Sequence, residues 1–140
     1  MISSTARDLP LHRREVMDAC QEQGLVPLMM ERLPASDDDA IAASLRMVDE
    51  AQIYLGIFAH RYGYVPDGYD RSITEMEYEW AIERGLPALI FMVDDDVAWP
   101  PKLIDRGASY EKLERFKARL RKAHVVRPFK DRDRFREDLF

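Results

Sequence analysis

Two stretches of seven residues, Ile53–Ala59 (IYLGIFA) and Pro87–Val93 (PALIFMV), are apolar at nearly every position. A strand with one face in water alternates apolar and polar side chains. An unbroken apolar run of this length is the pattern of a strand covered on both faces, and such strands belong to parallel sheets with helices above and below. That one feature removes most all-helical folds and most open antiparallel folds, and the rest of the chain agrees with it. Met1–Ser3 reads as the end of another strand, Leu25–Met30 as a strand that Pro27 places at a strand start or an edge, and His124–Arg127 as a last short strand ended by Pro128.

Helical spacing fills the intervals. Leu9, Val16 and Cys20, with Met17 and Ala19 beside them, mark a helix from about Leu9 to Gln23 that Gly24 ends. Ser36, followed by Asp37, Asp38 and Asp39, opens a second helix carrying Ile41, Leu45 and Val48, which runs to Ala51. A third begins near Ser72 or Thr74 and ends at Gly85. Ser109–Lys122 carries Tyr110, Leu113, Phe116 and Leu120 on one face, and Lys130–Phe140 turns Phe135 and Leu139 inward. Strand and helix alternate about five times. The expected fold is therefore an α/β, doubly wound, mainly parallel sheet of about five strands with helices on both faces.

Composition narrows the functional classes. A chain of 140 residues suits one domain, and a net charge of −5 argues against non-specific nucleic-acid binding as the main role. No apolar run is long enough to span a membrane, and no signal peptide is visible, so a cytoplasmic location is expected. Cys20 is the only cysteine, and it lies on an apolar helix face. His12, His60 and His124 have no metal-ligand spacing, and no metal is expected.

In a doubly wound sheet, ligands bind at the carboxyl ends of the strands. The exits from those ends therefore supply the candidate ligand-binding residues: Ser3, Ser4 and Thr5, then Glu31, then Arg61, Tyr62 and Gly63, and the loop that runs through Asp70 and Ser72 to Thr74. The small-hydroxyl turn after the first strand offers backbone N–H groups to an anion, or caps a helix through Thr5 or Asp8. Arg61 suits a phosphate or carboxylate, or a surface ion pair. Tyr62 and Tyr78 suit base stacking or core packing.

The helix after this loop carries the candidate catalytic group. Counting at 100° per residue from Ile73, Met76, Trp80 and Ala81 fall within about 80° of it, and so does Glu77; Glu75, Glu79 and Glu83 fall on the far, polar side. A carboxylate among apolar neighbours is desolvated, which raises its pKa, and active sites use such groups. The alternative for Glu77 is structural. If Thr74 is the N-cap, Glu77 completes a capping box; if Ser72 is the N-cap, Glu75 has that job and Glu77 is released.

Taken in order, Ile2-Ser3-Ser4-Thr5 with Asp8-Leu9, Pro27…Glu31…Pro34-Ala35-Ser36, Arg61-Tyr62-Gly63, Thr74-Glu75-Met76-Glu77-Tyr78 and Gly85-Leu86-Pro87 resemble one family. It is the TIR-like domain of unknown function found at the N-terminus of larger proteins with a STAND or NACHT P-loop ATPase. The resemblance covers nearly the whole chain. It implies a flavodoxin-like, Rossmannoid three-layer sandwich related to TIR domains and nucleoside 2-deoxyribosyltransferases. In the transferases a Thr-x-x-Glu-x-x-x-Ala stretch before Gly-x-Pro carries the nucleophilic glutamate, and Thr74, Glu77, Ala81, Gly85 and Pro87 match it here. In catalytic TIR domains a glutamate on the corresponding helix supports NAD cleavage. The chain departs from these relatives at Arg71-Ser72-Ile73, which interrupts the transferase's Asp-Gly-Thr, at Leu86, where a lysine is usual, and in lacking the tryptophan–cysteine pair of TIR domains.

The resemblance implies an effector or signalling domain, cut from a longer multidomain protein, that binds a nucleotide. It would hydrolyse the N-glycosidic bond of NAD as substrate, with no bound cofactor and Glu77 as the catalytic group. Glu31 or Asp70 would serve as a second carboxylate. The alternative is a non-catalytic module that associates with itself or with the P-loop ATPase of the same protein, using the Leu33–Ser36 and Tyr62–Tyr69 loops as contact surface. A nucleoside transferase is a third reading.

Overall fold

The two apolar runs form the centre of the sheet. In the computed structural model, which describes residues 1–30 and 35–139, β2 (Tyr54–Phe58) and β3 (Ala88–Val93) pair in parallel, with Tyr54 beside Ala88 and Phe58 beside Met92. β1 (Ile2–Ser4) pairs with the free side of β2, and β4 (Val126–Phe129) with the free side of β3. The described residues thus form a four-stranded parallel sheet in the order β1-β2-β3-β4.

The strand expected at Leu25–Met30 is not formed as a regular ladder. The segment runs beside β1, and one bond ties it there, from Ile2 N–H to the Leu28 carbonyl at 2.8 Å. Pro27 lies next to Leu28 and faces away from β1, on the outer side where a missing N–H costs no ladder bond. The expected end of the last strand at Pro128 is also corrected. Pro128 lies inside β4, opposite Met92. An edge strand tolerates proline because one of its two sides makes no ladder bonds.

Among the described residues five α-helices cover the sheet: α1 (Pro10–Glu22), α2 (Asp37–Glu50), α3 (Ile73–Glu83), α4 (Ala108–Ala123) and α5 (Arg132–Glu137). Alternation along the strands divides the core into two layers. Ile2, Leu55, Ile57, Phe91 and Val93 pack with Leu9, Val16 and Cys20 of α1 and with Phe135 of α5. Tyr54, Phe58, Ile90 and Met92 pack on the other face with Val48 of α2, Tyr78 and Ala81 of α3, and Leu113, Phe116 and Leu120 of α4. This is a doubly wound, flavodoxin-like arrangement of three layers. At Gly56 an added Cβ would lie 2.6 Å from the Phe58 ring and 3.1 Å from that of Tyr54, so the two rings close over the space that glycine leaves.

Helix α2 buries a face other than the expected one. Ala40, Ser44 and Val48 are buried, and Ile41 and Leu45 are only partly covered. Small residues let α2 lie close against α3. The winding sets the position of the site. From β1 the chain moves outward to segment 25–30, then returns across the sheet to β2. This reversal is a topological switch point, and it opens a crevice beyond the carboxyl ends of β1 and β2.

Candidate functional site

A cleft of about 400 Å³ occupies that crevice. Ser4, Thr5, Ala6 and Arg7 enter it from the exit of β1, Arg13 from α1, Met30 from the outer segment, and Ser44 from α2. Arg61, Gly63 and Tyr64 come from the exit of β2, and Ile73, Thr74 and Glu77 from the first turns of α3. Six residues singled out from the sequence therefore meet in one cavity: Ser4, Thr5, Arg61, Gly63, Thr74 and Glu77. A cavity of about 390 Å³ lies at the amino ends of the strands, but it is lined mostly by apolar groups and backbone and holds none of the candidate residues. Chemistry, not size, distinguishes the two.

Glu77 lies on the floor. It is 5 % exposed, and its Oε1 accepts a 3.0 Å hydrogen bond from Ser3 Oγ, itself 1 % exposed. Burial pushes the Glu77 carboxyl up to about 8, against the opposing pull of the Ser3 bond, the Arg13 guanidinium and the Ser44 hydroxyl. The acid is therefore largely protonated at neutral pH and loses its proton just above it. Ser3 is not a wall of the cleft. It stands beneath Glu77 and fixes one carboxyl oxygen.

The N-cap of α3 is Ser72, whose hydroxyl accepts from Glu75 N–H at 3.1 Å, so Glu77 is not used in capping. The expected place of Glu75 on a polar face is corrected. It is 7 % exposed, receives the Tyr62 hydroxyl, and pairs with Arg119 of α4 at 2.8 Å. A wheel with one buried face fails here because α3 is covered by α2 on one side and by a residue of α4 on another. Tyr62 Oη also accepts from Ser72 N–H at 3.2 Å, so the phenol bridges the cap and the helix. Burial and the Glu75 bond push Tyr62 up to about 12. Tyr62 and Ser72 thus serve the loop's frame and do not line the cleft. Asp70 points to solvent, 90 % exposed, with Arg71 3.6 Å away. Glu31 lies outside the described residues. Tyr78 is buried against Tyr54 and Phe116 and bonds His124 at 2.7 Å.

Removing the Tyr62 hydroxyl leaves a buried N–H and a buried carboxylate short of a partner. Tyr62→Phe is expected to cost about 1–3 kcal/mol in urea unfolding, and ligand affinity measured on the folded fraction should not change.

Gly63 shapes the rim. Its φ is +96°, and an added Cβ would lie 3.0 Å from Thr74 Oγ1 and 3.3 Å from Thr5 Cγ2. The two loops close on each other through a position that admits only hydrogen. Thr5 does not cap α1, whose N-cap is Leu9; its hydroxyl donates to Asp8 Oδ1. Asp8 is 6 % exposed, and its Oδ2 has no hydrogen-bond partner among the described residues. Burial raises its pKa, and the nearby Arg61 pulls the other way.

Arg13 was not singled out from the sequence. It is 8 % exposed, and Nη1 donates to the Ser4 carbonyl at 3.0 Å and to Ser4 Oγ at 3.1 Å, while Nη2 donates to the Met30 carbonyl at 2.6 Å. The signal was present, since Arg13 stands only about 40° from Leu9 and 20° from Cys20 on the α1 wheel. Arg7 and Arg61 line the same cleft, at the exits of β1 and β2. Those two guanidiniums suit an anionic ligand. No group of histidine, cysteine, aspartate or glutamate side chains among the described residues could hold a metal ion. Among the same residues no helix is long and apolar enough to cross a membrane.

Comparison with known proteins gives a family and no activity. The family model described as Domain of unknown function (DUF4062) matches residues 1–140. Telomerase protein component 1 of Mus musculus is 32 % identical over an alignment that covers 43 % of this chain and 3 % of that protein. The chain thus corresponds to a small fraction of that relative's length. No solved structure matches. The chain belongs to the DUF4062 family.

Proposed function

We propose that this DUF4062 domain is a TIR-like nucleotide-binding module that hydrolyses the N-glycosidic bond of NAD. The observation that carries the reading is a carboxyl group sealed from bulk water on the floor of an open, guanidinium-lined cleft at the switch point of the sheet. The resemblance of the Thr74–Pro87 stretch to the glutamate helix of nucleoside transferases and TIR domains supports it.

The geometry supports the following chemistry. Arg7 and Arg61 attract the phosphates, and the Thr5–Arg7 turn lies beside them. The ribosyl carbon then rests over Glu77. The C1′–N bond breaks with its electron pair moving to the ring nitrogen, so nicotinamide leaves neutral. The ionised Glu77 stabilises the oxocarbenium-like centre or attacks it. Water adds at C1′ and gives up one proton, leaving ADP-ribose. This role needs the carboxylate, so activity should rise with pH and level off above about pH 8.

The test is NAD consumption by the domain at high protein concentration, wild type against Glu77→Ala, across pH 6 to 9. Turnover that ignores the substitution overturns the assignment. The second reading is an interaction module, controlled by an attached STAND or NACHT ATPase. It is favoured by Tyr64 and Tyr69, which are 48 % and 46 % exposed on the loop before α3. Absence of turnover even when the domain is clustered supports that reading. The nucleoside-transferase reading predicts base exchange in place of hydrolysis.

A further inference from the structure

Two hydroxyls in the layer between the sheet and α2/α3 lack hydrogen bonds of ordinary geometry among the described residues, and both stand beside Glu77. Ser44 Oγ, on a residue 1 % exposed, faces the carboxyl from α2. Tyr54 Oη, on a residue 0 % exposed, faces Ser3, the residue whose hydroxyl donates to Glu77 Oε1. A buried hydroxyl without a partner costs stability, and native chains carry few. The surrounding layer is otherwise apolar and aromatic: Val48, Phe58, Ala81, Ile90 and Met92. Phenylalanine and alanine would fill the same space without the cost.

We infer that Tyr54 and Ser44 are reserve donors for the ionised form of Glu77, positioning residues that complete its hydrogen bonding only when the carboxyl loses its proton. The donor bookkeeping supports this. A protonated carboxyl offers Oε1 as its carbonyl oxygen, and Ser3 satisfies it. The hydroxyl proton then sits on Oε2, which acts as a donor and calls for an acceptor rather than for a further donor. After ionisation both oxygens accept, at about four lone-pair sites. Ser44 can turn its proton to Oε2. Tyr54 can donate to Ser3 Oγ, whose own proton is already committed to Oε1, so a Tyr54–Ser3–Glu77 chain strengthens along its length. Burial pushes Tyr54 well above the ordinary phenol value, which keeps it a donor. Donors already in place need no rearrangement when the charge appears, the arrangement that favours charge in a dry site.

Other groups around Glu77 have to be counted. Arg13 faces it from α1, the Met1 amino group from β1, and Arg7 and Arg61 line the same cleft. All are cationic and none is removed by changing a hydroxyl, so the two effects separate.

The catalytic meaning of these donors rests on the reading given under Proposed function, but the donors can be tested without it. The experiment follows the Glu77 side-chain carboxyl carbon by NMR in protein with ¹³C-labelled glutamate, assigned with Glu77→Gln, through a pH titration. In Tyr54→Phe and in Ser44→Ala the Glu77 midpoint should move up by about half a pH unit or more. Thermal stability at pH 5.5, where the acid is protonated, should hold or rise. The pH profile of NAD cleavage should shift by the same amount. An unmoved midpoint in both variants overturns the proposal, and so does a loss of stability at pH 5.5, since the hydroxyls would then be bonding something other than the ionised acid. Shifted midpoints without NAD turnover by the wild type would uphold the donors and reject the hydrolase reading. Ser44→Ala is the smaller change and keeps the test open if Tyr54→Phe fails to fold.

Discussion

Glu77→Gln should yield a protein that is more stable and without activity. The stability gain follows from proton linkage. Glu77 titrates at about 8 in the fold, against an ordinary 4.5 in the unfolded chain. Below 4.5 both states hold the proton, and the group does not make stability depend on pH. From there to about 8 the unfolded chain has released its proton while the fold retains it, so stability falls by about 1.4 kcal/mol for each pH unit. Above that window the loss is complete. Glutamine has the same shape and no proton to lose. Relative to wild type, Glu77→Gln should therefore gain up to about 3 kcal/mol at pH 7, which for a chain of this size is several degrees in Tm. The gain should shrink toward zero by pH 4. NAD turnover should fall by at least about 100-fold, since an amide can neither attack nor stabilise a ribosyl cation. Thermal melts of the two proteins from pH 4 to 9 check the first part. Parallel curves would show that the carboxyl is not held protonated, and the chemical reading would lose its basis.

The same residue shows what a sequence makes legible. Burial of Glu77 follows from its phase on one helix, and α3 keeps that phase in the fold. The apolar runs at 53–59 and 87–93 place the two central strands for a similar reason, because coverage on both faces removes the need for polar alternation. The hidden features depend on which element packs where. Glu75 is on the polar side of an isolated α3 and is buried because Tyr62 packs its hydroxyl against it and Arg119 arrives from α4. Segment 25–30 has the apolar content of a strand, and it meets β1 through the Leu28 carbonyl without forming a regular ladder. Arg13 stood on the apolar face of α1 by the criterion that selected Glu77. Its neighbours His12 and Arg14 make the stretch look like an ordinary basic surface, and a charge on the apolar stripe is easily missed in such company. Ser44 gave no signal, since a serine between alanines fits a solvated helix as well as a close helix contact. The convergence of Ser4, Thr5, Arg61, Gly63 and Thr74 needed the winding of the sheet to bring distant exits to one crevice.

Arg13→Met is expected to have the other large effect, in the opposite direction for stability. The guanidinium bonds the Ser4 carbonyl at the end of β1 and the Met30 carbonyl on the outer segment. Those two segments run side by side on the β1 flank of the crevice, and Arg13 ties their ends together. Methionine keeps the stem's volume and leaves both carbonyls short of a donor, at about 1–3 kcal/mol each where water cannot replace it. Removing a buried cation beside Glu77 should also make the acid harder to ionise and move its midpoint above 8. The two contributions can be separated by repeating the substitution in a Glu77→Gln background. The cost of lost hydrogen bonds should persist there, while any part that comes from Arg13 facing an ionised Glu77 disappears. Urea unfolding at pH 6, where Glu77 is protonated in either case, should give nearly the same cost in both backgrounds, and at pH 9 the cost should be larger where Glu77 is retained. A cost that is small and equal in all four conditions would mean that Arg13 neither joins β1 to the outer segment nor supports the acid's charge.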